Sequence, residues 1–157
     1  MNRASVKAEE VPLPSWTEAL ETFSFKVLSA LGKDRWILSF LFCSNSFIKS
    51  LNARYRKRDE ATDILSFPLG ETLDEDGQEF YLPGDIVISL EALEENSRFF
   101  GVSGDEELRR LVIHGILHLD GMDHQSNDSG EAMLRLQEDL LLKLKEEHII
   151  TVCEEVS

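Results

Sequence analysis

Cysteine is scarce in this chain: the only two, Cys43 and Cys153, stand far apart, outside any C-x-x-C pattern. That excludes a disulfide framework and a cysteine-ligated zinc site, and it leaves two reduced thiols as the expected state. With no covalent staple the fold must rest on its core. A length of 157 residues suits one domain, expected to run from residue 1 to 157, that buries about two thirds of its unfolded surface. Long apolar runs are missing too. No stretch of eighteen uncharged apolar residues occurs, and Met1 to Glu10 holds no apolar segment of signal-peptide length. A soluble, cytoplasmic protein is therefore expected. Internal repeats, low-complexity tracts, a P-loop and a G-x-G-x-x-G motif are all absent, which removes solenoids and the common nucleotide-binding loops.

Positive charge is also short, with 16 Lys+Arg against 30 Asp+Glu and a net charge of -14. Such a balance argues against binding phosphate backbones. The distribution qualifies it. Residues 1–60 hold 10 basic and 7 acidic side chains (+3), while residues 61–157 hold 6 and 23 (-17). Most of the excess lies in Arg54-Tyr55-Arg56-Lys57-Arg58. A run of this kind is a candidate polyanion contact, or a solvated helix end favoured by the macrodipole.

What the chain does have is histidine in a pattern. Three of its four histidines fall in the run from His114 to His124, at His114, His118 and His124. On a helix, positions i and i+4 lie one above the other, so His114 and His118 can aim at one point. Gly121 can end the helix in a left-handed turn, and His124 can return as a third ligand. Three neutral nitrogen ligands without a fourth describe a catalytic zinc site with an open position, although nickel or copper could occupy the same ligands. Core histidines on an apolar helix are the alternative, and they would suit a single histidine better than three around a glycine. The metzincin protease signature shares this spacing, but its glutamate base is replaced here by Gly115, which discounts peptide hydrolysis. His148, outside the run, reads as a solvated residue at a helix end.

Periodicity supplies the frame. A short strand is expected around Ala4 to Ala8, then a helix to Leu31 capped by Ser15 or Thr17, with Trp16, Leu20, Phe23 and Val27 on one face. Trp36 to Cys43 reads as a strand buried on both faces. Ser44 or Asn45 caps a second helix whose inward stripe holds Ile48, Leu51, Asn52 and Tyr55. Thr62 to Phe67, closed by Pro68, is the next strand, and strand-helix-strand suggests a parallel crossover. Leu69 to Pro83 is acidic and loop-like, with Asp76-Gly77 as a hairpin turn signal, and Asp85 to Leu90 is a further strand. A helix from Glu91 to Phe100 follows, and the capping box Ser103-Gly104-Asp105-Glu106 opens the histidine helix. A last helix, capped by Asn127 or Asp128, buries Met133, Leu136, Leu140 and Leu144. The expected class is α+β, a small mixed sheet with about five helices and the histidine helix central.

Read together, Asn52-x-x-Tyr55-Arg56, Asp59, the stretch Thr62 to Pro68, Gly84-Asp85-Ile86 and the run His114 to His124 resemble the YbeY family of bacterial metal-dependent endoribonucleases. The likeness spans about residues 44–125. Met122 stands where many relatives carry an aromatic residue, a departure that touches no ligand. The resemblance implies a zincin-like fold, one zinc held by His114, His118 and His124, and Arg56 as the catalytically important arginine. It also implies ribosomal RNA and the small ribosomal subunit as partners, with ribosome-associated proteins beside them and neither membrane nor DNA. A permanently charged, planar guanidinium suits negative charge growing on phosphoryl oxygens. Asp123 could orient a ligand histidine or simply build the turn, and Asn52 and Asp63 are expected to bind across the core or to backbone. The leading expectation is a zinc-dependent, single-strand-specific endoribonuclease of ribosomal RNA. The runner-up is a ribosome docking factor with a structural zinc, and a hydrolase of a small substrate is the third.

Overall fold

The computed structural model describes residues 1–123 and 131–151. The chain runs β1 (Arg3–Glu9), α1 (Thr17–Ala30), β2 (Ile37–Cys43), α2 (Asn45–Arg56), β3 (Ile64–Glu75), β4 (Gln78–Ser89), α3 (Leu90–Phe100), α4 (Gly104–Leu119) and α5 (Ala132–Lys143). The four strands form one mixed sheet in the order β1-β2-β4-β3, so the architecture is α+β.

Strands β1, β2 and β4 are parallel, and β3 lies antiparallel on the outer edge of β4. Strand β3 does not make the parallel crossover expected after α2: it pairs with β4, which takes the place beside β2. The cause is local. Asp76 (φ 52°) and Gly77 (φ 80°) form a two-residue left-handed turn, which folds β3 back along β4 as a hairpin. The hairpin turn expected at Asp76-Gly77 is there, but the stretch around it, expected as loop over 69–83, is strand: β3 is exposed beyond Phe67, whereas β4 buries Phe80. Pro83 is tolerated because the register pairs Pro68 with Gly84 and Glu71 with Leu82. Leu69 and Gly70 together oppose it in a bulge that needs no donor there. Gly84 (φ 144°) allows close approach, since a Cβ would collide with the Phe67 carbonyl oxygen and Pro68 Cα.

One face of the sheet sends Leu38, Phe40, Phe42, Ile86 and Ile88 into the main core, against α1, α4 and α5. The other face, with Leu41, Cys43 and Val87, is covered by Ile48 and Leu51 of α2. Strand β2 is thus covered on both faces, fully on the side of Leu38, Phe40 and Phe42 and, apart from buried Cys43, only partly on the other. Central α4 buries Leu108, Leu111, Val112, Ile113, Ile116 and Leu117. Each such side chain contributes about 1.5–3 kcal/mol of transfer free energy. Gly115 lets α4 approach closely, because a Cβ there would stand 3.0 Å from two Ile86 side-chain atoms.

Caps follow the hydroxyls at three helices. The Ser44, Ser89 and Ser103 side chains accept from the backbone N–H groups of Phe47, Ala92 and Glu106. Helix α1 departs from expectation: Trp16 occupies its cap position with no side-chain hydrogen bond, and its ring packs edge-on against Phe42. Asn127 and Asp128, the expected caps of α5, lie outside the described residues, and the position before that helix is Glu131. His148 is half-exposed as expected, yet it is not merely solvated, for its Nδ1 lies 2.9 Å from Asp105 Oδ2.

Candidate active site

Helix α4 ends at the histidines. Gly121 (φ 92°) donates to the His118 carbonyl at 3.0 Å and Met122 to that of Leu117 at 3.0 Å, the paired bonds of a Schellman stop. The turn closes one end of a cavity of about 410 Å³ whose walls include Arg56, Ser66, His114, His118, Met122 and Asp123. Strand β3 forms the opposite wall and the end of α2 the rim.

Within this cavity the i, i+4 spacing becomes geometry. His114 Nε2 and His118 Nε2 stand 3.1 Å apart, with the rings inclined at 72°. Two nitrogens bound to one tetrahedral zinc would be separated by about 3.3 Å. The tautomer fits as well. His114 Nδ1 lies 2.6 Å from Gln137 Oε1, and an amide oxygen only accepts, so Nδ1 carries the proton and Nε2 keeps its lone pair. His114 therefore presents the donor that a zinc ion requires, and the pair presents the spacing. Among the described residues no group of three His, Cys, Asp or Glu side chains converges, and His124 lies outside them.

Arg56 is the last residue of α2, which Lys57 (φ 58°) ends in a left-handed cap. Its guanidinium donates to the Ser66 carbonyl of β3 and stands 5.5 Å from the Phe67 ring centre. An arginine on an exposed helix end is thereby docked along the strand that walls the cavity. Buried Asn52 holds the segment behind it: its Nδ2 donates to the Glu60 carbonyl at 2.9 Å, and its own carbonyl accepts from Arg58 N at 3.3 Å. Asp63 accepts from Asn96 Nδ2 at 3.0 Å, and its backbone carbonyl accepts from Ser89 N. The Asn52 side chain thus binds to backbone, one of the two expected alternatives, while that of Asp63 meets Asn96 on α3. Arg54, Lys57 and Arg58 are exposed beside Arg56.

Asp123 Oδ1 lies 4.0 Å from His118 Nδ1, beyond hydrogen-bond reach, on a side chain 81% exposed. An orienting contact to His114 comes from Gln137 of α5, which periodicity hides within a leucine stripe. A polar residue four positions after Met133 on that stripe was the available signal. Gly115, in the place of the metzincin glutamate, faces Ile86, so peptide hydrolysis lacks its base for a packing reason. Burial pushes the Cys43 thiol up to about 12, leaving it protonated and inert near neutral pH.

A family model described as Endoribonuclease YbeY matches residues 3–145. A relative of that name from Treponema pallidum (strain Nichols) is 47% identical over 142 residues, covering 90% of this chain and 89% of its own. Another from Treponema denticola is 47% identical over 134 residues, with coverages of 85% and 86%. The solution structure of a Thermotoga maritima protein aligns with a TM-score of 0.56 and 31% identity, over 93% of this chain and 91% of that one. With a match over nearly its whole length, the chain belongs to the YbeY family.

Proposed function

We propose that this protein is a zinc-dependent, single-strand-specific endoribonuclease that matures ribosomal RNA. Its family is that of relatives named Endoribonuclease YbeY, which makes it a hydrolase acting on RNA. The finer reading rests on one observation, the two Nε2 atoms 3.1 Å apart in a cavity that Arg56 also lines. His114 and His118 would hold the ion, and the spacing of the run makes His124 the third ligand. When bound, zinc supplies Lewis acidity to chemistry near neutral pH.

The chain's own groups do the rest. Arg56, fixed on the β3 carbonyl, offers planar N–H donors to a phosphodiester entering the cavity and stabilises charge that grows on its oxygens. Arg54 and Arg58 extend the cationic rim along which an RNA strand approaches, away from the acidic surface of the later chain. Gln137 holds one proton on His114 Nδ1 throughout. The partners are ribosomal RNA and the small ribosomal subunit in the cytoplasm. Among the described residues no helix is long and apolar enough to cross a membrane.

The test is to incubate zinc-replete protein and its His114→Ala variant with defined ribosomal RNA precursors and map the ends. New ends made by the first and absent with the second are expected. Equal cleavage by both would refute the reading, and maturation supported by the variant would favour the docking factor.

A further inference from the structure

We propose that Gln137 is a positioning residue for the histidine pair, and that Glu138 and Arg110 lock its amide so that only its oxygen can face His114. The inference rests on the zinc-site reading given above. An amide side chain could turn over, presenting N–H₂ to His114 and favouring the opposite tautomer. Here that turn is opposed. Gln137 Nε2 donates to Glu138 Oε2 at 3.1 Å, while Oε1 lies 2.6 Å from His114 Nδ1. Turning the amide would set its oxygen against a carboxylate and its N–H₂ against a ring N–H, exchanging two attractions for two repulsions.

The carboxylate is itself held. Arg110 Nε donates to Glu138 Oε2 at 2.9 Å and Arg110 Nη2 to Oε1 at 3.1 Å, a two-pronged clamp. The guanidinium keeps the Glu138 carboxyl below the usual carboxylate range, so it stays an acceptor at neutral pH. Arg110 is steadied on its own helix by Glu107 Oε1 at 3.4 Å and Glu106 Oε2 at 3.3 Å. Arg110 and His114 are four residues apart on α4, and Gln137 and Glu138 are neighbours on α5. A closed circuit between the two helices thus ends on one imidazole nitrogen. Gln137 is 7% exposed, so water does not compete freely for this bond. A neutral ligand histidine whose far nitrogen gives its proton to a fixed acceptor is held in the ligating tautomer and aim.

Two readouts test this on the full chain. In metal-free protein near about pH 8, where imidazole is neutral, ¹⁵N spectra of the His114 ring should show the proton on Nδ1. In Gln137→Met, nearly the same shape without an acceptor, the proton should redistribute toward Nε2. Zinc affinity, measured by chelator competition, should fall about 10–100-fold. Gln137→Glu combined with Glu138→Gln, which keeps an oxygen facing His114 without setting two carboxylates against each other, should restore both readouts toward the wild type. Should Gln137→Met fail to fold, half-exposed Glu138→Ala replaces it, with a mixed tautomer and a drop of about three- to tenfold expected. If the wild type binds one zinc and Gln137→Met, or Glu138→Ala in its stead, matches it in tautomer and affinity, the positioning role is overturned while the zinc reading stands. If the wild type binds no zinc, the zinc reading falls first and takes this proposal with it.

Discussion

Helix α4 carries polar side chains inside the protein at both ends and uses them in opposite ways. At its start, buried Asp105 accepts from the Ile149 and Ile150 amides at 2.7 and 2.8 Å through Oδ1, and Oδ2 lies 2.9 Å from both Arg109 Nε and His148 Nδ1. All four partners belong to the fold, and the effect is to tie the segment after α5 onto α4. At the other end, the Nδ1 of His114 is fixed by Gln137 while Nε2 turns into the cavity toward His118. A carboxylate whose contacts all close within the fold serves architecture. An imidazole pinned on one nitrogen and turned to a cavity on the other, as His114 is, is arranged for a ligand.

The comparison breaks most completely if the histidines are removed. His114→Ala or His118→Ala should lose nearly all of the single zinc expected per chain, together with RNA cleavage, while the fold survives. Metal analysis of the purified variants beside circular dichroism checks it, and unchanged stoichiometry in both would end the zinc-site model. The architectural end should respond in reverse. Asp105→Ala strands the buried Arg109 charge and two amides, at a cost of about 3–5 kcal/mol in urea unfolding, with zinc stoichiometry retained. Burial raises the Asp105 carboxyl, but the bonds from His148 and the two amides outweigh it and hold the group below the usual carboxylate range. Its contribution is therefore present above the unfolded value of about 3.9 and is lost as pH falls through the lower folded value. The advantage of the wild type should narrow below about pH 4.

Arg56 separates chemistry from ligation within the cavity. Arg56→Ala should cost about 2–4 kcal/mol of transition-state stabilisation, a rate loss of tens to a thousandfold, with zinc content and helicity intact. Lysine should restore only part of the rate, because it lacks the planar fork. Wild-type turnover by the alanine variant would remove Arg56 from the mechanism. The smallest effect concerns the rim: replacing Arg54 and Arg58 together by glutamine should weaken RNA binding and flatten its salt dependence, by about 0.7 in log-log slope per lost contact with a single strand. Equal slopes across a salt series would mean that these side chains are only a solvated helix end.

Local rules carried far in this chain because most of its signals are local. The Ser44 and Ser103 caps, the i, i+4 histidines and the Gly121 stop are each set by a few neighbouring residues, and these appear where the sequence pattern puts them. The pairing of β3 was not legible in the same way. Strand-helix-strand is compatible with either direction; Asp76-Gly77 reads as a hairpin turn, but the acidic residues around it conceal the strands that it joins. Gln137 was missed because its stripe is otherwise apolar, and its partner lies 23 residues away on another helix.

The sequence by itself determined the helix that presents His114 and His118, the glycine that ends it, and the charge division that leaves a basic run at the end of α2. Those properties need only backbone geometry and residue type. Tertiary structure alone decided that β4 would lie between β2 and β3, that Arg56 would dock on the Ser66 carbonyl, and that Gln137 would meet His114. Each of these joins residues from different elements. Such contacts depend on how the helices settle on a twisted sheet, and no periodicity within one segment encodes the distance to another.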